Sequence, residues 1–314
     1  MVLDFILYIF IFMNNKVSII CPFYNEEKGL HIFCEELIGV LDSISDIQFQ
    51  LIFVNNASED NSLSAIKEII QAIDKKNIFS IKVITFTRNF GYQKSLLAGY
   101  NFSDSDASIV IDTDLEDPPY LIKDFINNWK QGYEIVYGKR VDRHENFIIK
   151  LLRNLFYRSL GILSDFKINY QMAEFCLISK KVRDLIVNIN PTFSFFRSEI
   201  AFLGHKSKSI DYKRDKRKFG KTKYNIFGMI EFAIAGFLTT STFSLRFFSY
   251  SIFIISLINF FVLLFFQELI LYMITFDLIY IFLNLAVLSL YVARIYQISI
   301  NRPPYIIDYN NSFF

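Results

Sequence analysis

The feature that most constrains the fold is an apolar run that ends in a dense group of carboxylates. Residues 109–111 read Ile-Val-Ile, and two prolines close the segment at positions 118 and 119. Four acidic side chains lie between them, within six residues: Asp112, Asp114, Glu116 and Asp117. The apolar run predicts a buried strand. The carboxylates then lie at its carboxyl end, where open α/β sheets bind ligands.

Carboxylates packed this closely repel one another and cost stability unless a cation lies among them. Mg²⁺ or Mn²⁺ suits such a group, because these hard cations prefer oxygen ligands and keep open positions for substrate phosphates. A solvated acidic loop is the alternative interpretation of an isolated Asp-x-Asp. The strand before this group and the prolines after it favour a divalent metal ion.

Short β-branched runs alternate along the chain with segments whose apolar residues recur at helical spacing. The predicted strands cover residues 17–21, 50–54, 81–86, 109–111 and 134–137. Strands that alternate with helices predict an α/β fold with a mostly parallel sheet and right-handed crossovers. Polar residues follow each strand, so the site is expected at that edge of the sheet. The sequence has no GxGxxG after the first strand and no GxxxxGK[ST], which argues against dinucleotide-binding and P-loop proteins.

The last third of the chain is first strongly basic and then apolar. Nine Lys and Arg residues crowd into residues 206–223. A solvated loop is one interpretation, but the apolar segment that follows favours recognition of phosphate or anionic lipid. Residues 247–266 carry no charge and 276–293 form a second apolar stretch, joined by a linker with Glu268 and Asp277. Twenty apolar residues cross a hydrocarbon core of about 30 Å.

The distribution of arginines predicts how these two segments are oriented. Arg246 precedes the first, Arg294 and Arg302 follow the second, and the linker has no Lys or Arg. The positive-inside rule therefore places both chain ends in the cytoplasm. The predicted domains are a catalytic domain (14–224), an interfacial helix (225–245), two transmembrane helices (246–297) and a cytoplasmic tail (298–314). A buried hairpin in a soluble core is the alternative.

Residues 1–13 form a short apolar extension. Ten apolar residues are too few to span a bilayer, and neither a basic region nor a cleavage site accompanies them. An interfacial anchor fits, and so does a translation start at Met13; the second is favoured. The three cysteines lack the spacing of a zinc site or a disulfide framework, which fits a reducing compartment.

The chain contains four short motifs in a specific order. They are Pro22-Phe-Tyr-Asn25-Glu26-Glu27, Thr87-Arg88-Asn89-Phe90-Gly91, Asp112-Thr-Asp114-Leu-Glu116-Asp117-Pro118 and Arg214-x-x-Arg217-x-x-Gly220-x-Thr222-Lys223-Tyr224. Together they resemble the family 2 glycosyltransferases of GT-A fold. The group that they resemble within this family is the polyprenyl-phosphate glycosyltransferases, which includes dolichyl-phosphate mannose synthases and bacterial undecaprenyl-phosphate glucosyltransferases. The resemblance extends from about Lys16 to Tyr305.

The resemblance implies a GT-A, Rossmann-like fold with helices on both faces of the sheet. It also implies an inverting transferase that moves a sugar from a nucleotide diphosphate sugar to undecaprenyl phosphate, for cell-surface glycan synthesis or modification. The enzyme would lie in the bacterial inner membrane with its catalytic domain in the cytoplasm. Mg²⁺ or Mn²⁺ is the expected cofactor and self-association is expected, whereas nucleic acid is not an expected partner.

The resemblance also assigns roles to individual residues. The residues expected to bind the nucleotide sugar are Pro22, Tyr24, Glu26, Asn56, Arg88 and Asp112. The expected metal ligands are Asp112, Asp114 and Glu116. The expected catalytic residues are Asp112, Asp114, Arg140 and Arg153. The residues expected to hold the acceptor phosphate are Arg214, Arg217 and Lys223. A phosphate oxygen is already ionised at neutral pH, so catalysis needs positioning and electrostatics more than a general base.

Two departures from the family pattern leave alternatives open. Asn55-Asn56 stands where relatives carry Asp-Asp, although an amide still offers a donor and an acceptor to a base edge. Cys176 replaces a cationic residue. The alternatives are direct transfer to a glycan or lipid-linked oligosaccharide, and a catalytically silent membrane scaffold. The only tryptophan, Trp129, lies outside the Q-x-x-R-W motif of processive synthases, which argues against the first.

Overall fold

The computed structural model describes residues 15–73, 76–142, 147–166, 172–189, 196–215, 234 and 236–314. It describes the side chains of these residues except 142, 147–150, 152–154 and 157. The chain divides into two compact units. The catalytic unit comprises Met1–Phe147, Asn169–Asn225 and Pro303–Phe314, and the helical unit comprises Ile148–Ile168 and Ile226–Arg302.

One sheet forms the centre of the catalytic unit. Its strands are β1 (Asn15–Phe23), β2 (Ile47–Asn55), β3 (Ile78–Thr85), β4 (Ala107–Val110), β5 (Ile135–Asp142), β6 (Met172–Ser179) and β7 (Ser207–Lys213). Their order is β3-β2-β1-β4-β6-β5-β7. The pairs β1–β2, β1–β4, β2–β3 and β5–β7 are parallel, whereas β6 runs antiparallel to both β4 and β5. The predicted mostly parallel α/β sheet is confirmed.

Helices cover both faces of this sheet. They are α1 (Leu30–Asp42), α2 (Ser62–Ala72), α3 (Tyr92–Asn101), α4 (Leu121–Lys130), α6 (Lys180–Ile189) and α7 (Phe196–Leu203). The remaining helix of this part of the chain, α5 (Phe147–Leu163), falls almost wholly in the helical unit. Successive residues of a strand point to opposite faces, so Ile19 and Ile20 in β1 enter different core clusters. The first cluster includes apolar residues of α1, α2 and α4, and the second includes those of α3, α6 and α7.

Two strands have no counterpart in the predicted pattern. All eight residues of β6 are buried, so the strand lacks the alternation that marks a half-buried strand. The last strand, β7, is mostly exposed and reads Ser-Lys-Ser-Ile-Asp-Tyr-Lys, which gives only a weak strand signal. Part of the basic segment 206–223 is therefore an edge strand of the sheet. Lysines are common on such edges because they discourage pairing with another chain.

Two long apolar helices dominate the described part of the helical unit. They are α8 (Phe243–Phe265) and α9 (Ile270–Ser299), joined by a short 3₁₀ turn over Gln267–Leu269. Both are long and apolar enough to cross a membrane, with mean hydropathies of 2.2 for α8 and 2.0 for Gln267–Ser299. No residue of α8 and only Tyr291 of α9 is buried. The predicted pair of apolar C-terminal helices is confirmed.

The linker between these helices is shorter than the sequence predicts. Asp277 was expected in the linker but lies inside α9, so that expectation is wrong. Its Oδ2 accepts a hydrogen bond of 2.8 Å from Asn259 Nδ2 on α8. Farther along the pair, the hydroxyl groups of Ser251 and Tyr280 lie 2.7 Å apart. The amide partner offsets part of the cost of a carboxyl group among apolar side chains.

Several predicted segments fall partly or wholly outside the described residues. The apolar extension, residues 1–13, lies outside them. Of the predicted interfacial helix, 225–245, residues 225–233 and 235 also lie outside them, whereas 234 and 236–240 are helical and 243–245 begin the helix α8.

The packing of α3 against β1 predicts an asymmetric response to alanine at two helical glycines. A Cβ atom added at Gly99 would come within 2.2 Å of Ile20 Cγ2, whereas one added at Gly39 in α1 meets nothing within 4 Å. We expect Gly99→Ala to lower the free energy of unfolding by about 1–3 kcal/mol through overpacking. Gly39→Ala should leave it unchanged or raise it by up to about 1 kcal/mol.

Thermal unfolding of the detergent-solubilised protein measures both effects. The fluorescence of Trp129 is a suitable signal, because this residue packs against the first core cluster. Equal melting temperatures for the two variants would contradict the close approach of α3 to β1.

Candidate active site

Loops with unusual backbone geometry gather at the carboxyl ends of β1, β2 and β4. Among the described non-glycine residues, four have positive φ: Asn25 (53°), Ala57 (58°), Leu115 (60°) and Asn301 (50°). The first three lie in the loops that follow these strands. Left-handed conformations cost energy for residues with a Cβ atom and often mark functional sites. This edge is where the sequence predicts the site.

Hydrogen bonds join the loop after β1 to the loop after β2. The backbone N–H of Asn25 donates to Ser58 Oγ at 3.0 Å, and the N–H of Glu59 donates to Asn25 Oδ1 at 2.8 Å. The N–H of Glu26 donates to Ser62 Oγ at 2.8 Å. These contacts fix the backbone of the segment that begins at Pro22. The side chains of Tyr24 and Glu26 are half-buried at this edge.

The side chain of Asn56 joins the loop after β2 to the loop after β3. Its Nδ2 donates to Asn89 Oδ1 at 3.0 Å, and its Oδ1 accepts from the N–H of Phe90 at 2.9 Å. A carboxylate at position 56 could accept from Phe90 but could not donate to Asn89. The amide at this departure from the family pattern therefore has a structural role. The expected contact of Asn56 with a nucleotide stays a prediction.

The acidic loop after β4, residues 112–117, begins with a strongly perturbed carboxyl group. Asp112 Oδ1 accepts a hydrogen bond of 2.6 Å from the hydroxyl of Tyr92, at the start of α3. Burial, together with the nearby charges of Asp114 and Asp117, raises the pKa of Asp112 to about 7. Burial also raises the pKa of Tyr92 well above its usual range, so this hydroxyl stays a donor.

The guanidinium group of Arg214 lies among all four carboxylates of the acidic loop. Its Nη1 is 2.5 Å from Glu116 Oε2, and its Nε is 3.4 Å from Asp117 Oδ1. Its Nη2 is 3.9 Å from Asp112 Oδ2 and 3.8 Å from Asp114 Oδ2. A backbone hydrogen bond of 2.9 Å from Asp215 N to Glu116 O holds the segment in place. The structure thus brings the start of the basic motif onto the acidic loop.

A second arginine pairs with the most buried carboxylate of the loop. Arg140 Nη2 lies 3.2 Å from Asp117 Oδ2, and Arg140 Nε donates to the hydroxyl of Tyr212 at 3.0 Å. That hydroxyl donates to Asp117 Oδ1 at 2.5 Å. Burial would lower the pKa of Arg140, but Asp117 and Tyr212 more than compensate and raise it. Asp117, which is 1% exposed, thus links the acidic loop to β5 and β7.

The structure brings most of the predicted charged site residues together, and it leaves the side chains of three of them undescribed. Asp112, Asp114, Glu116, Arg140 and Arg214 form one connected charged group. Arg88 lies at the same edge of the sheet, with its guanidinium carbon 4.2 Å from the centre of the Phe90 ring. The side chain of Arg153 and the whole of Arg217 and Lys223 lie outside the described part of the chain, so their roles stay predictions.

Four further residues of this site have no predicted role in the sequence: Tyr92, Asn89, Asp117 and Tyr212. Tyr92 and Tyr212 contact carboxylates from positions far away in the chain, so no local motif indicates them. Asn89 and Asp117 belong to two of the four motifs. The motifs do not indicate that Asn89 bonds to Asn56 or that Asp117 pairs with Arg140.

The second departure from the family pattern, Cys176, lies in the core. Its side chain is 1% exposed in β6, and burial raises the pKa of its thiol to about 12. Two residues earlier, Glu174 Oε1 lies 3.0 Å from Nε of Arg197 on α7 and accepts from Gln93 Nε2 at 3.2 Å. An arginine from another element is therefore present beside this strand.

Within the described residues, no three His, Cys, Asp or Glu side chains converge as a ready-made metal cage. Two carboxylates do converge, because oxygen atoms of Asp112 and Asp114 both lie within 4 Å of Arg214 Nη2. Mg²⁺ is commonly held by one or two carboxylates together with substrate phosphates. The donor set therefore fits a divalent cation that binds with a phosphorylated ligand.

The α/β fold and the acidic loop agree with the fold and site that the sequence predicts, and sequence comparison identifies the family. The model described as "Glycosyl transferase family 2" matches residues 18–201, more than half of the chain. The protein belongs to glycosyltransferase family 2 and is a glycosyltransferase. The predicted resemblance is confirmed.

Relatives that resemble the chain over most of its length include proteins of Bacillus and Escherichia. The "uncharacterized glycosyltransferase YkcC" of Bacillus subtilis (strain 168) is 34% identical over 308 residues, covering 93% of each chain. The "prophage bactoprenol glucosyl transferase homolog" of Escherichia coli (strain K12) is 30% identical over 236 residues, covering 75% of each. The "bactoprenol glucosyl transferase" of Shigella phage SfX has the same identity and coverage.

The position of Arg214 predicts a loss of stability when its charge is removed. In Arg214→Gln, four neighbouring carboxylates lose their shared guanidinium, and their mutual repulsion is less well compensated. The side chain is 28% exposed, so we expect a loss of about 2 kcal/mol, between the values for surface and buried ion pairs. Thermal unfolding in EDTA, followed by Trp129 fluorescence, measures it.

Lys208→Gln is the matched control. It removes one positive charge from β7, where the ammonium group lies 5.9 Å from the centre of the Tyr133 ring. We expect a change within about 0.5 kcal/mol, as for most surface substitutions. Equal stability of the two variants would contradict the account of Arg214 as the cation of the acidic loop.

Proposed function

We propose that this glycosyltransferase moves a sugar, with inversion, from a nucleotide diphosphate sugar to a polyprenyl phosphate at the cytoplasmic face of a membrane. The observation that carries the proposal is the contact of Arg214 with all four carboxylates of the acidic loop. Through this contact, the acidic loop meets the first residue of the basic motif. The carboxylates of the loop suit a cation that binds a diphosphate, and the basic motif suits an anionic acceptor. The naming of relatives for bactoprenol, a polyprenol, supports the same acceptor class.

On the donor side, we propose that Asp112 and Asp114 bind Mg²⁺ or Mn²⁺, with Glu116 as a further ligand. Such an ion, when bound, neutralises the charge that develops on the departing nucleoside diphosphate. Tyr92 keeps Asp112 in position through its hydroxyl group. The proposed nucleotide contacts are Pro22, Tyr24, Glu26, Asn56 and Arg88, and their shared edge of the sheet supports this role.

On the acceptor side, the planar guanidinium group of an arginine can donate two parallel hydrogen bonds to two oxygen atoms of a phosphate. Arg140 and Arg214 are the described candidates, and Arg153, Arg217 and Lys223 are proposed to complete the set. The acceptor phosphate oxygen attacks the anomeric carbon, the bond from that carbon to the donor phosphate breaks, and the nucleoside diphosphate leaves. The attacking oxygen is already deprotonated, so the residues have to orient two anions and screen their repulsion.

We propose that α8 and α9 cross the bilayer. Their apolar side chains are almost entirely exposed, and a continuous apolar surface of this size needs an apolar environment. Arg246 near the start of α8 and Arg294 near the end of α9 lie at the two ends that lead back to the catalytic unit. By the positive-inside rule these ends, and that unit, face the cytoplasm. The bacterial inner membrane is the proposed location.

The proposed organisation keeps the predicted boundaries with two amendments, the first of which is that Ile148–Ile168, within the catalytic range, groups with the helical unit. The catalytic domain covers 14–224, an interfacial segment covers 225–245 and the membrane hairpin covers 246–297. The end of the predicted tail, Pro303–Phe314, belongs with the catalytic unit. Self-association stays a prediction.

An assay with defined substrates tests the proposal. The detergent-solubilised protein is incubated with Mn²⁺, undecaprenyl phosphate and each of a panel of UDP- and GDP-sugars. Released nucleoside diphosphate and sugar extractable into organic solvent are both measured. We expect one donor to give release that depends on the lipid, with the sugar recovered in the organic phase.

Two substitutions make the assay specific to the acidic loop. Asp114→Asn removes a proposed metal ligand at nearly constant volume and should lower the rate by about 100-fold or more. Asp124→Asn removes an exposed carboxylate from α4 and should keep the wild-type rate. Nucleotide release without a lipid product would favour direct transfer to another acceptor. A folded protein that is silent with every donor would favour the scaffold alternative.

A further inference from the structure

The C-terminal tail, Pro303–Phe314, forms the outer edge of the catalytic sheet. It belongs to the catalytic unit although the chain reaches it only after the two apolar helices. Antiparallel bridges join Val83 to Phe313 and Phe86 to Ile307. The tail therefore lies beside β3, the edge strand of the sheet.

The tail satisfies backbone groups along the outer side of β3. Val83 and Phe313 exchange two hydrogen bonds, of 2.8 and 2.7 Å. The N–H of Thr85 donates to Ser312 Oγ at 2.9 Å, and its carbonyl accepts from the N–H of Asp308 at 2.8 Å. This pairing covers an edge that would otherwise be open to another chain.

Side chains strengthen the same contact. The ring of Tyr305 stacks on Phe86 with centroids 5.1 Å apart, and its hydroxyl accepts from Asn101 Nδ2 at 3.0 Å. At the other end of the tail, Phe314 stacks on Phe102 at 5.2 Å. Stacked aromatic pairs add to the stabilisation from apolar area alone. The tail is thus anchored at both ends, to β3 and to α3.

The contacts of the tail continue directly into the candidate active site. The N–H of Thr87 donates to the carbonyl of Ile306 at 3.0 Å. Thr87 begins the loop 87–91, whose Asn89 and Phe90 bond to Asn56. Phe86, on which Tyr305 stacks, also packs edge-on against Phe90 at 5.7 Å. The same loop leads to Tyr92, which donates to Asp112.

We propose that Tyr305 and Ile306 are positioning residues for nucleotide-sugar binding. They hold the end of β3 and the start of the loop 87–91, so that Asn56, Arg88 and Tyr92 are ordered before the donor arrives. The identity of the ligand rests on the proposed function. Ordering a loop in advance improves affinity because less conformational entropy is lost on binding.

Three substitutions in the tail test this role in the full-length protein. Tyr305→Ala removes the stack on Phe86 and the contact with Asn101. Tyr305→Phe keeps the stack. Tyr309→Ala is the matched control, because this tyrosine is in the same tail but is 72% exposed. Affinity for UDP and GDP is measured by calorimetry in Mn²⁺, and kcat and KM are measured with the active donor sugar.

We expect Tyr305→Ala to weaken nucleotide binding and raise KM by about tenfold, with kcat within about twofold of the wild-type value. The nucleotide affinity of Tyr305→Phe should stay within about threefold of the wild-type value, and that of Tyr309→Ala should equal the wild-type value. An affinity unchanged in Tyr305→Ala, or an equal effect in Tyr309→Ala, would overturn the proposal. A fall in kcat with KM unchanged would overturn it too.

Hydrogen exchange separates a failure of this inference from a failure of the proposed function. In Tyr305→Ala without ligand, we expect faster exchange of the N–H groups of Thr87 and Phe90, with exchange at Ile19 in β1 unchanged. Unchanged exchange at Thr87 and Phe90 would refute the positioning role even if the protein binds nucleotide. If the wild-type protein binds no nucleotide, the proposed function and the donor-binding role both fail.

Discussion

The architecture of this protein depends on how it compensates a local excess of negative charge. Four carboxylates follow β4 within six residues, and burial would make each of them costly as an isolated anion. Two arginines compensate this negative charge in different ways. Arg140, together with Tyr212, pairs with the buried carboxylate of Asp117. Arg214 lies over the open side of the loop and contacts every carboxylate. The inner pair fixes the loop, and the outer contact shows where a cation is favourable.

The sheet makes this arrangement possible because its parallel strands deliver several loops to one edge. Hydrogen bonds then join these loops in series: Asn25 with Ser58, Asn56 with Asn89 and Phe90, and Thr87 with Ile306 of the tail. Tyr92 closes the series by donating to Asp112. Left-handed residues at 25, 57 and 115 show that the backbone of these loops accepts strain to reach these positions. The tail that follows α9 in the chain, Pro303–Phe314, belongs to the catalytic unit and pairs with its edge strand β3.

The sequence predicts the first five strands and the acidic loop because their signals are local. An apolar run before Asp112 and the prolines after Asp117 need no knowledge of the rest of the chain. The sequence does not reveal β6, because a strand buried on both faces lacks alternation, or β7, because its exposed residues resemble a loop. The partners of Asp112 and Asp117 are tyrosines 20 and 95 residues away, so only the folded topology brings them together. Asp277 was misplaced for a similar reason, since its partner Asn259 lies on the other helix.

The proposed function requires the acidic loop to bind a divalent cation and a nucleoside diphosphate together. Calorimetric titration of the purified protein with UDP and with GDP, in Mn²⁺ and in EDTA, tests it most directly. We expect that one nucleotide binds in Mn²⁺, that EDTA abolishes this binding, and that Asp112→Asn weakens it by about tenfold or more. Equal affinity in EDTA, or in the variant, would contradict joint binding of the cation and the nucleotide by the acidic loop.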